Sequence, residues 1–410
     1  MIKNWFKNIG PGPLIAAAFI GPGTVTVCTL AGVGFGYALL WAMVVSTLAT
    51  IILQEMSARL GIVSQRGLSE IIRLEIQNPV LKILTILLTI SAIVIGNAAY
   101  EAGNISGAVL GLESIFGNQS FSINIFSFNA LSLLVGVIAF VLLYFGNYKI
   151  LEKSLVFLVI LMSLAFLFSA VITKPNLIKV FEGTFLPNFP KDSLLTVIGL
   201  IGTTVVPYNL FLHASLVKEK WNTSHDLKYA RKDTIIAIVL GGLVSMSVIV
   251  AAASMPSTEI RTASDLALGL EPLFGSFAKH FLSIGLFAAG ITSAITAPLA
   301  AAYVATGCLG WSSSMHSKKF RGVWMIVLIL GIYFSSLNIK AITIIKFAQV
   351  ANGMLLPVII GVLLWMMNKS HILGVHKNTF WQNVLGFAIL ALSMLLSLVV
   401  FNKVFQFGLF

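Results

Sequence analysis

Long apolar stretches alternate with short polar connections along the whole chain. No Asp, Glu, Lys or Arg occurs between Lys7 and Glu55, which leaves room for two membrane-crossing helices of about 20 residues each, divided by the glycine-rich segment 31–37. Similar stretches follow at roughly 81–111, 129–148, 153–173, 193–217, 233–254, 273–308, 321–338, 342–367 and 380–402. The pattern predicts an all-α, polytopic membrane protein with eleven transmembrane helices, which we number as spans 1 to 11.

The composition agrees with a membrane protein and excludes a set of soluble domains. Of 410 residues, 58% are hydrophobic and only 10% are charged, whereas soluble domains carry about a quarter charged residues. We therefore expect one transmembrane domain over residues 1–410, with the lipid bilayer as its surroundings. Cys28 and Cys308 both lie in apolar stretches, so neither a disulfide framework nor a cysteine metal site is indicated, and no cofactor is expected.

The net charge of +12 reflects topology rather than nucleic-acid binding, because the basic residues lie in the connections between spans. With eleven spans, 18 of the 26 Lys and Arg residues fall on one side and 7 on the other, and Lys346 lies within span 10. Since cytoplasmic loops carry the excess of Lys and Arg, this distribution predicts a cytoplasmic N-terminus and an outside C-terminus in a cell membrane.

Two spans are interrupted by proline. Span 1 contains Gly21-Pro22-Gly23-Thr24, and span 6 contains Val206-Pro207-Tyr208-Asn209. Proline lacks the N–H that the helix ladder needs, and unwound backbone inside a bilayer survives only where it is buried or lines a polar cavity. Pro22, Gly23 and Pro207 are therefore predicted helix breaks.

Either break alone is consistent with an ordinary proline kink. Together they occupy the first position of spans 1–5 and of spans 6–10, as two inverted repeats over about 10–173 and 193–367 require, with an extra helix at 380–402. Broken helices that meet at mid-membrane form the substrate site of many secondary transporters. The pairing predicts such a transporter.

Several motifs resemble the Nramp family of divalent-metal transporters, which have the LeuT-type fold of five plus five helices in inverted repeats. The motifs are GPGP at 10–13, GFGYALLW at 34–41, LQEMSARLG at 53–61, NLFLH at 209–213, and AQV at 348–350 followed by Pro357. The resemblance covers nearly the whole chain. It implies transport of a divalent metal cation by alternating access, inward, with protons as the coupling ion.

The sequence departs from the family pattern at the expected metal site. Where the family has Asp-Pro-Gly-Asn in span 1, this chain has Gly21 and Thr24 at the two ligand positions, and where it has Met-Pro-His in span 6, this chain has Val206 and Tyr208. By resemblance, the predicted substrate residues are Ala18, Gly21, Thr24, Thr203, Val206, Tyr208, Asn209 and Gln349, with Thr24, Thr203 and Gln349 as candidate metal contacts.

The missing carboxylate and thioether change the expected substrate. Oxygen ligands suit magnesium and similar hard ions, and magnesium readily keeps its water shell. One hypothesis is that a hydrated magnesium or manganese ion binds in a cavity that also includes Thr204. The alternative is a small polar or organic solute, favoured by Lys346, which lies one helical turn before Gln349. Lys346 could equally extend its ammonium to the membrane interface.

The resemblance also suggests a proton pathway. The family's acidic pair in span 3 appears here as Glu101 and Asn104, and intramembrane carboxylates commonly lie on ion paths or form pairs. Glu101 is a candidate proton acceptor, and His213 is a candidate relay; a structural hydrogen bond, an ion pair between Glu101 and Lys346, and a packing role for His213 are the alternatives. No enzyme motif such as His-Glu-x-x-His occurs, so we do not expect an enzyme.

Overall fold

Helices make up most of the described chain. The computed structural model of the protein describes residues 11, 20–117, 119–123, 126–146, 149–256, 259–337 and 339–405. The α-helices are α1 (Pro22–Phe35), α2 (Leu40–Ser64), α3 (Leu68–Glu75), α4 (Pro79–Phe116), α5 (Ala130–Phe145), α6 (Lys149–Ile172), α7 (Leu177–Phe185), α8 (Leu194–Thr204), α9 (Pro207–Lys220), α10 (Leu227–Ala252), α11 (Ala263–Ala267), α12 (Glu271–Phe274), α13 (Ala278–Leu309), α14 (Lys318–Ser336), α15 (Ala341–Met367), α16 (Ser370–Leu373) and α17 (Phe380–Phe405). Single 3-10 turns lie at Ser224–Asp226, Leu268–Leu270, Gly275–Phe277 and Gly374–His376.

The predicted spans correspond to these helices, although the count of eleven is not exact. Within the described ranges, 9 helical segments are long and apolar enough to cross a membrane, and they coincide with spans 2, 3 and 5–11. Span 4 is the 16-residue helix α5, and the described part of span 1 is the 14-residue helix α1. Much of the first half of span 1 lies in residues 12–19, outside the described residues.

The all-α prediction missed one small element. A two-stranded antiparallel hairpin connects α4 to α5, with β1 at Ser120–Ile123 and β2 at Phe126–Asn129. Asn129 is the last residue of β2 and also the N-cap of α5. Its side chain accepts a hydrogen bond from the backbone N–H of Leu131 at 2.9 Å. This is the usual action of an Asn N-cap.

Local sequence signals explain several helix ends. Gly36 follows α1 with φ +58°, a backbone conformation that glycine adopts without steric cost, so the predicted glycine-rich division between spans 1 and 2 is confirmed. Asn78 precedes α4 and accepts hydrogen bonds from the N–H groups of Val80 and Leu81, while Pro79 occupies the first helical position. Proline is favoured there because its missing N–H would have no helical partner anyway.

At both predicted breaks a helix begins at a proline that follows extended backbone. The half of span 1 before this point falls on residues 12–19, outside the described residues, and Gly23, predicted as a break residue, lies in the first turn of α1. Gly21 has φ −104° and ψ −176°, and α1 begins at the next residue, Pro22. Span 6 is divided into α8 and α9 by Val205 (φ −90°, ψ 78°) and Val206 (φ −83°, ψ 119°). In a continuous helix the carbonyl of Thr203 would accept a hydrogen bond from the N–H of residue 207. Residue 207 is proline, which has no N–H, so this hydrogen bond cannot form.

Glycines allow α8 and α15 to approach closely at the break. A Cβ atom built on Gly202 would lie 2.0 Å from the carbonyl oxygen of Gln349, and one built on Gly353 would lie 2.9 Å from the Ile198 side chain. Such contacts leave no room for any larger residue at these positions. Small residues at close helix crossings are typical of membrane proteins, and here they place α15 directly beside the break in span 6.

A buried ion-pair network lies at the C-terminal end of α2. Arg59, which is 2% exposed, contacts Glu55 at 3.0 Å, and Glu55 also contacts Arg231 of α10 at 2.8 Å. Arg59 further donates to the carbonyl of His376 at 2.7 Å and to the side chain of Asn378 at 2.8 Å. The network joins α2 to α10 and to the connection before α17, so the ion pair expected from the i, i+4 spacing of Glu55 and Arg59 is present.

Candidate substrate-binding site

The two breaks meet directly through a pair of threonines. The hydroxyl oxygens of Thr24 in α1 and Thr203 at the end of α8 are 2.7 Å apart, and both side chains are buried. A hydroxyl has one proton and two lone pairs, so each oxygen keeps acceptor capacity beyond this bond. Thr204 points elsewhere, because its hydroxyl donates to the carbonyl of Leu200 in the same helix at 2.9 Å.

Gln349 of α15 lies beside the same break, against Gly23. A Cβ atom built on Gly23 would lie 1.9 Å from its side-chain nitrogen and 2.6 Å from its amide carbon, so the amide lies against the backbone of the span 1 break. Its side-chain oxygen is buried and has no hydrogen-bond partner among the described residues. The three candidate metal contacts, Thr24, Thr203 and Gln349, are therefore brought to one place.

Pro22 packs against α4 at the same level. A Cβ atom built on Gly107 would lie 2.1 Å from the Cβ of Pro22, which means that the proline ring fills the space where Gly107 lacks a side chain. On the other side of the break, a Cβ atom on Gly21 would lie 3.0 Å from the hydroxyl oxygen of Ser293 in α13. The break in span 1 is thus enclosed by α4, α13 and α15.

The remaining predicted residues extend the site along span 6. Val206 lies in the break and is buried, and Asn209 in the first turn of α9 is also buried. Neither the side-chain oxygen nor the side-chain nitrogen of Asn209 has a hydrogen-bond partner within the described part of the chain. Ala18 lies outside the described residues, so its predicted carbonyl contact is not placed.

Tyr100 of α4, which the sequence analysis did not single out, packs against the predicted site residue Tyr208. Its ring packs edge-on against Tyr208 with centroids 5.5 Å apart, and both side chains are buried. Glu101 is the next residue along α4 and is also fully buried. The tyrosine pair therefore lies between the acid of span 3 and the helix breaks.

The proposed proton residues fall into two separate groups. Glu101 is fully buried, accepts a hydrogen bond from Asn104 at 3.2 Å, and packs against the backbone of Gly331 in α14. His213 is also buried and forms a 2.7 Å hydrogen bond through its Nδ1 with Gln54 of α2. Across the described ranges no hydrogen bond or ion pair joins Glu101 to His213 or to Lys346.

The donors assembled at the breaks are neutral oxygen and nitrogen atoms. In the described residues no group of three or more His, Cys, Asp or Glu side chains is arranged to hold a metal ion. A dication here would meet hydroxyl, amide and carbonyl dipoles, which are the ligands that suit hard cations and their bound water.

Residues 12–402 match the family model described as natural resistance-associated macrophage protein-like, abbreviated Nramp. The chain belongs to the Nramp family. Its Nramp relatives include the divalent metal cation transporter MntH of Verminephrobacter eiseniae, 25% identical over 96% of this chain and 89% of the relative. The MntH protein of Staphylococcus haemolyticus is 27% identical over 98% of this chain and 93% of its own.

Solved structures agree with the Nramp assignment at the level of the fold. A mutant of the Eremococcus coleocola manganese transporter aligns with a TM-score of 0.76 at 21% identity, covering 98% of this chain and 87% of the other. The nucleobase-cation-symport-1 family transporter Mhp1 aligns with a TM-score of 0.53 at 15% identity, covering 96% and 93%. The predicted LeuT-type fold is confirmed, and the protein is a multi-pass membrane transporter rather than an enzyme.

Proposed function

We propose that this protein moves divalent metal cations across the cell membrane by alternating access, in the inward direction. Membership of the Nramp family supports the proposal, because its relatives are named divalent metal cation transporters. The neutral donors at the breaks support a substrate that keeps part of its water shell, which magnesium does readily and manganese tolerates.

The observation that carries the proposal is the set of buried polar atoms without protein partners where the two breaks meet. Gln349 has such an atom beside the span 1 break, and Asn209 has two in the first turn of α9, as found over the described residues. Leaving a buried polar group unsatisfied costs about 1–3 kcal/mol. A hydrated cation would remove this cost at the amide oxygens, because its bound waters donate hydrogen bonds to them.

The proposed architecture and orientation follow the sequence prediction. Two inverted repeats, about 10–173 and 193–367, would supply one broken helix each, and the helix at 380–402 would lie outside the repeat. The excess of Lys and Arg on one side supports a cytoplasmic N-terminus and an outside C-terminus. The substrate site would then lie at mid-membrane depth, equally far from both solutions.

Protons are the proposed coupling ion. The burial of Glu101 and its hydrogen bond to Asn104 support a carboxyl group that exchanges protons when water reaches it. His213 is proposed as a second proton site, because one of its ring nitrogens has no hydrogen-bond partner in the described part of the chain.

A transporter of a small polar or organic solute is the second candidate. The absence of any acidic side chain from the group formed by Thr24, Thr203, Gln349 and Asn209 favours it, because a neutral solute needs no counter-charge. The amide of Asn209 can both donate and accept hydrogen bonds, as binding of such a solute requires.

Uptake into proteoliposomes that contain a metal-sensitive dye tests the proposal. Entry of magnesium and manganese but not calcium, with loss of uptake in Gln349→Ala, is the expected result. If the purified protein transports none of the three cations and shows no binding heat by calorimetry, the solute hypothesis replaces the cation hypothesis. A pH-sensitive dye in the same vesicles measures whether protons accompany the metal.

A further inference from the structure

Ser293 of α13 lies beside the break in span 1, although no sequence motif marks it. Its side chain is fully buried, and its hydroxyl oxygen lies 3.0 Å from the position that a Cβ atom on Gly21 would occupy. Any side chain on residue 21 would therefore point at this hydroxyl. Ser293 lies where a longer residue at position 21 would place its functional group.

The hydroxyl of Ser293 also differs from its neighbours in the same helix. Thr292, Thr296 and Thr306 each donate to the carbonyl four residues earlier, at 2.8, 2.8 and 2.7 Å. Such back-bonding is the usual way in which a hydroxyl is satisfied inside a membrane helix. The Ser293 hydroxyl has no hydrogen-bond partner within the ranges that the structure describes.

A buried hydroxyl without a partner destabilises the protein by about 1–3 kcal/mol. Ser293 could avoid this cost by rotating toward its own helix, as Thr292 does on the preceding residue. Instead it faces Gly21 at the break, at the level where Gln349 lies against Gly23. Its partner is therefore expected to be a molecule or ion that enters the space between α1, α13 and α15.

We infer that Ser293 is a substrate ligand, and that its neutral oxygen replaces the ligand that an acidic residue at position 21 would supply. The inference rests on the proposed function, since it assigns a further contact to the same cation. A hydroxyl is a hard oxygen ligand, and its oxygen can also accept a hydrogen bond from a water bound to the ion. Ser293 would therefore favour hydrated magnesium or manganese over softer metals.

The first test compares Ser293→Ala with Thr292→Val, because both remove a buried hydroxyl from the same turn but only Ser293 faces the break. Loss of one hydrogen bond worth about 1 kcal/mol raises the magnesium concentration for half-maximal uptake roughly fivefold. Thr292→Val is expected to leave that concentration unchanged. Equal uptake curves for Ser293→Ala and Thr292→Val overturn the inference.

Ser293→Cys provides a readout that a purely structural role would not change. A thiol is a softer donor than a hydroxyl and prefers manganese to magnesium, so the ratio of manganese to magnesium uptake should rise severalfold. An unchanged ratio in a variant that elutes as a single species and transports manganese contradicts a direct contact with the ion.

Gly21→Asp tests whether the hydroxyl and an acid compete for one space. In the native background the new side chain must displace Ser293, whereas in Gly21→Asp/Ser293→Ala it has room. We expect tighter manganese binding by calorimetry in the double variant than in Gly21→Asp alone; equal binding in the two overturns the inference. Failure of the proposed function is a different outcome: the native protein itself then binds and transports no dication. That result also removes the inference, and measurements on the native protein alone detect it.

Discussion

Gly23→Ala is expected to disable the site without changing any polar group. The new Cβ atom would lie 1.9 Å from the side-chain nitrogen of Gln349, so the amide must withdraw by about 1.5 Å to reach ordinary contact. Because the obstructed atoms belong to the end of a flexible side chain, the helix can stay in place while Gln349 leaves the site.

The size of the effect follows from two terms. Forcing a side chain from its preferred rotamer costs about 0.5–1.5 kcal/mol, and overpacking a tight site costs typically about 1–3 kcal/mol. Dye-based uptake in proteoliposomes should show a half-maximal cation concentration about tenfold higher, since 1.4 kcal/mol corresponds to a factor of about ten. Thermal unfolding in detergent should show a modest loss of stability.

Gly34→Ala is the matched control, because it lies in the same helix and has nothing within 4 Å of an added Cβ atom. It should keep native uptake and gain about 0.5–1 kcal/mol of stability. The double variant Gly23→Ala/Gln349→Ala should transport no worse than Gln349→Ala alone, since the clash is then absent. Native uptake by Gly23→Ala would refute the placement of Gln349 against Gly23.

Three further outcomes are expected. Thr24→Val should lower stability by about 1–3 kcal/mol, because it leaves the buried Thr203 hydroxyl without this hydrogen bond, and Thr203→Val by about 0.5–1.5 kcal/mol, the contribution of one hydrogen bond; the double variant should recover part of the loss in a thermal unfolding cycle. Glu101→Gln should abolish proton entry while metal uptake continues; persistent vesicle acidification would exclude the carboxyl as the proton carrier. Arg59→Ala should cost about 1–3 kcal/mol, since it leaves the buried Asn378 side chain and the His376 carbonyl without this donor, whereas Lys218→Ala, in a partly exposed pair, should cost at most about 1 kcal/mol; equal melting temperatures would contradict this difference.

The helix breaks could be predicted from the sequence because their cause is local. Proline cannot donate a backbone hydrogen bond in any environment. Pro22 and Pro207 each follow extended backbone and begin a helix, whereas Pro298 and Pro357 lie inside continuous helices, so proline alone does not determine a break. Long uncharged stretches likewise predict spans, since the bilayer sets the length of a crossing helix. The count was inexact at α5, where an apolar helix of 16 residues follows a hairpin that the apolar pattern did not reveal.

Ser293 and Tyr100 could not be recognised because their roles depend on which helices become neighbours. In the sequence, Ser293 is one of several hydroxyl residues in an alanine-rich helix and looks no different from Thr292 or Thr296. Only the three-dimensional structure shows that two of these hydroxyls are satisfied within the helix while the third faces Gly21. The role of Gly23 was predicted as a helix break, whereas its contact with Gln349 requires the placement of α15.

The backbone contact of Gly202 with Gln349, and of Gly353 with Ile198, has a consequence for movement. The two helices touch through backbone atoms, with no flexible side chain between them. Sliding or rolling α8 against α15 would bring their backbone atoms into overlap, so the two helices must move as one rigid unit. The non-helical residues Val205 and Val206 are then the hinge about which α9 swings relative to that unit. Gln349 would keep its distance from Thr203 throughout the cycle, while its distance from Asn209 would change.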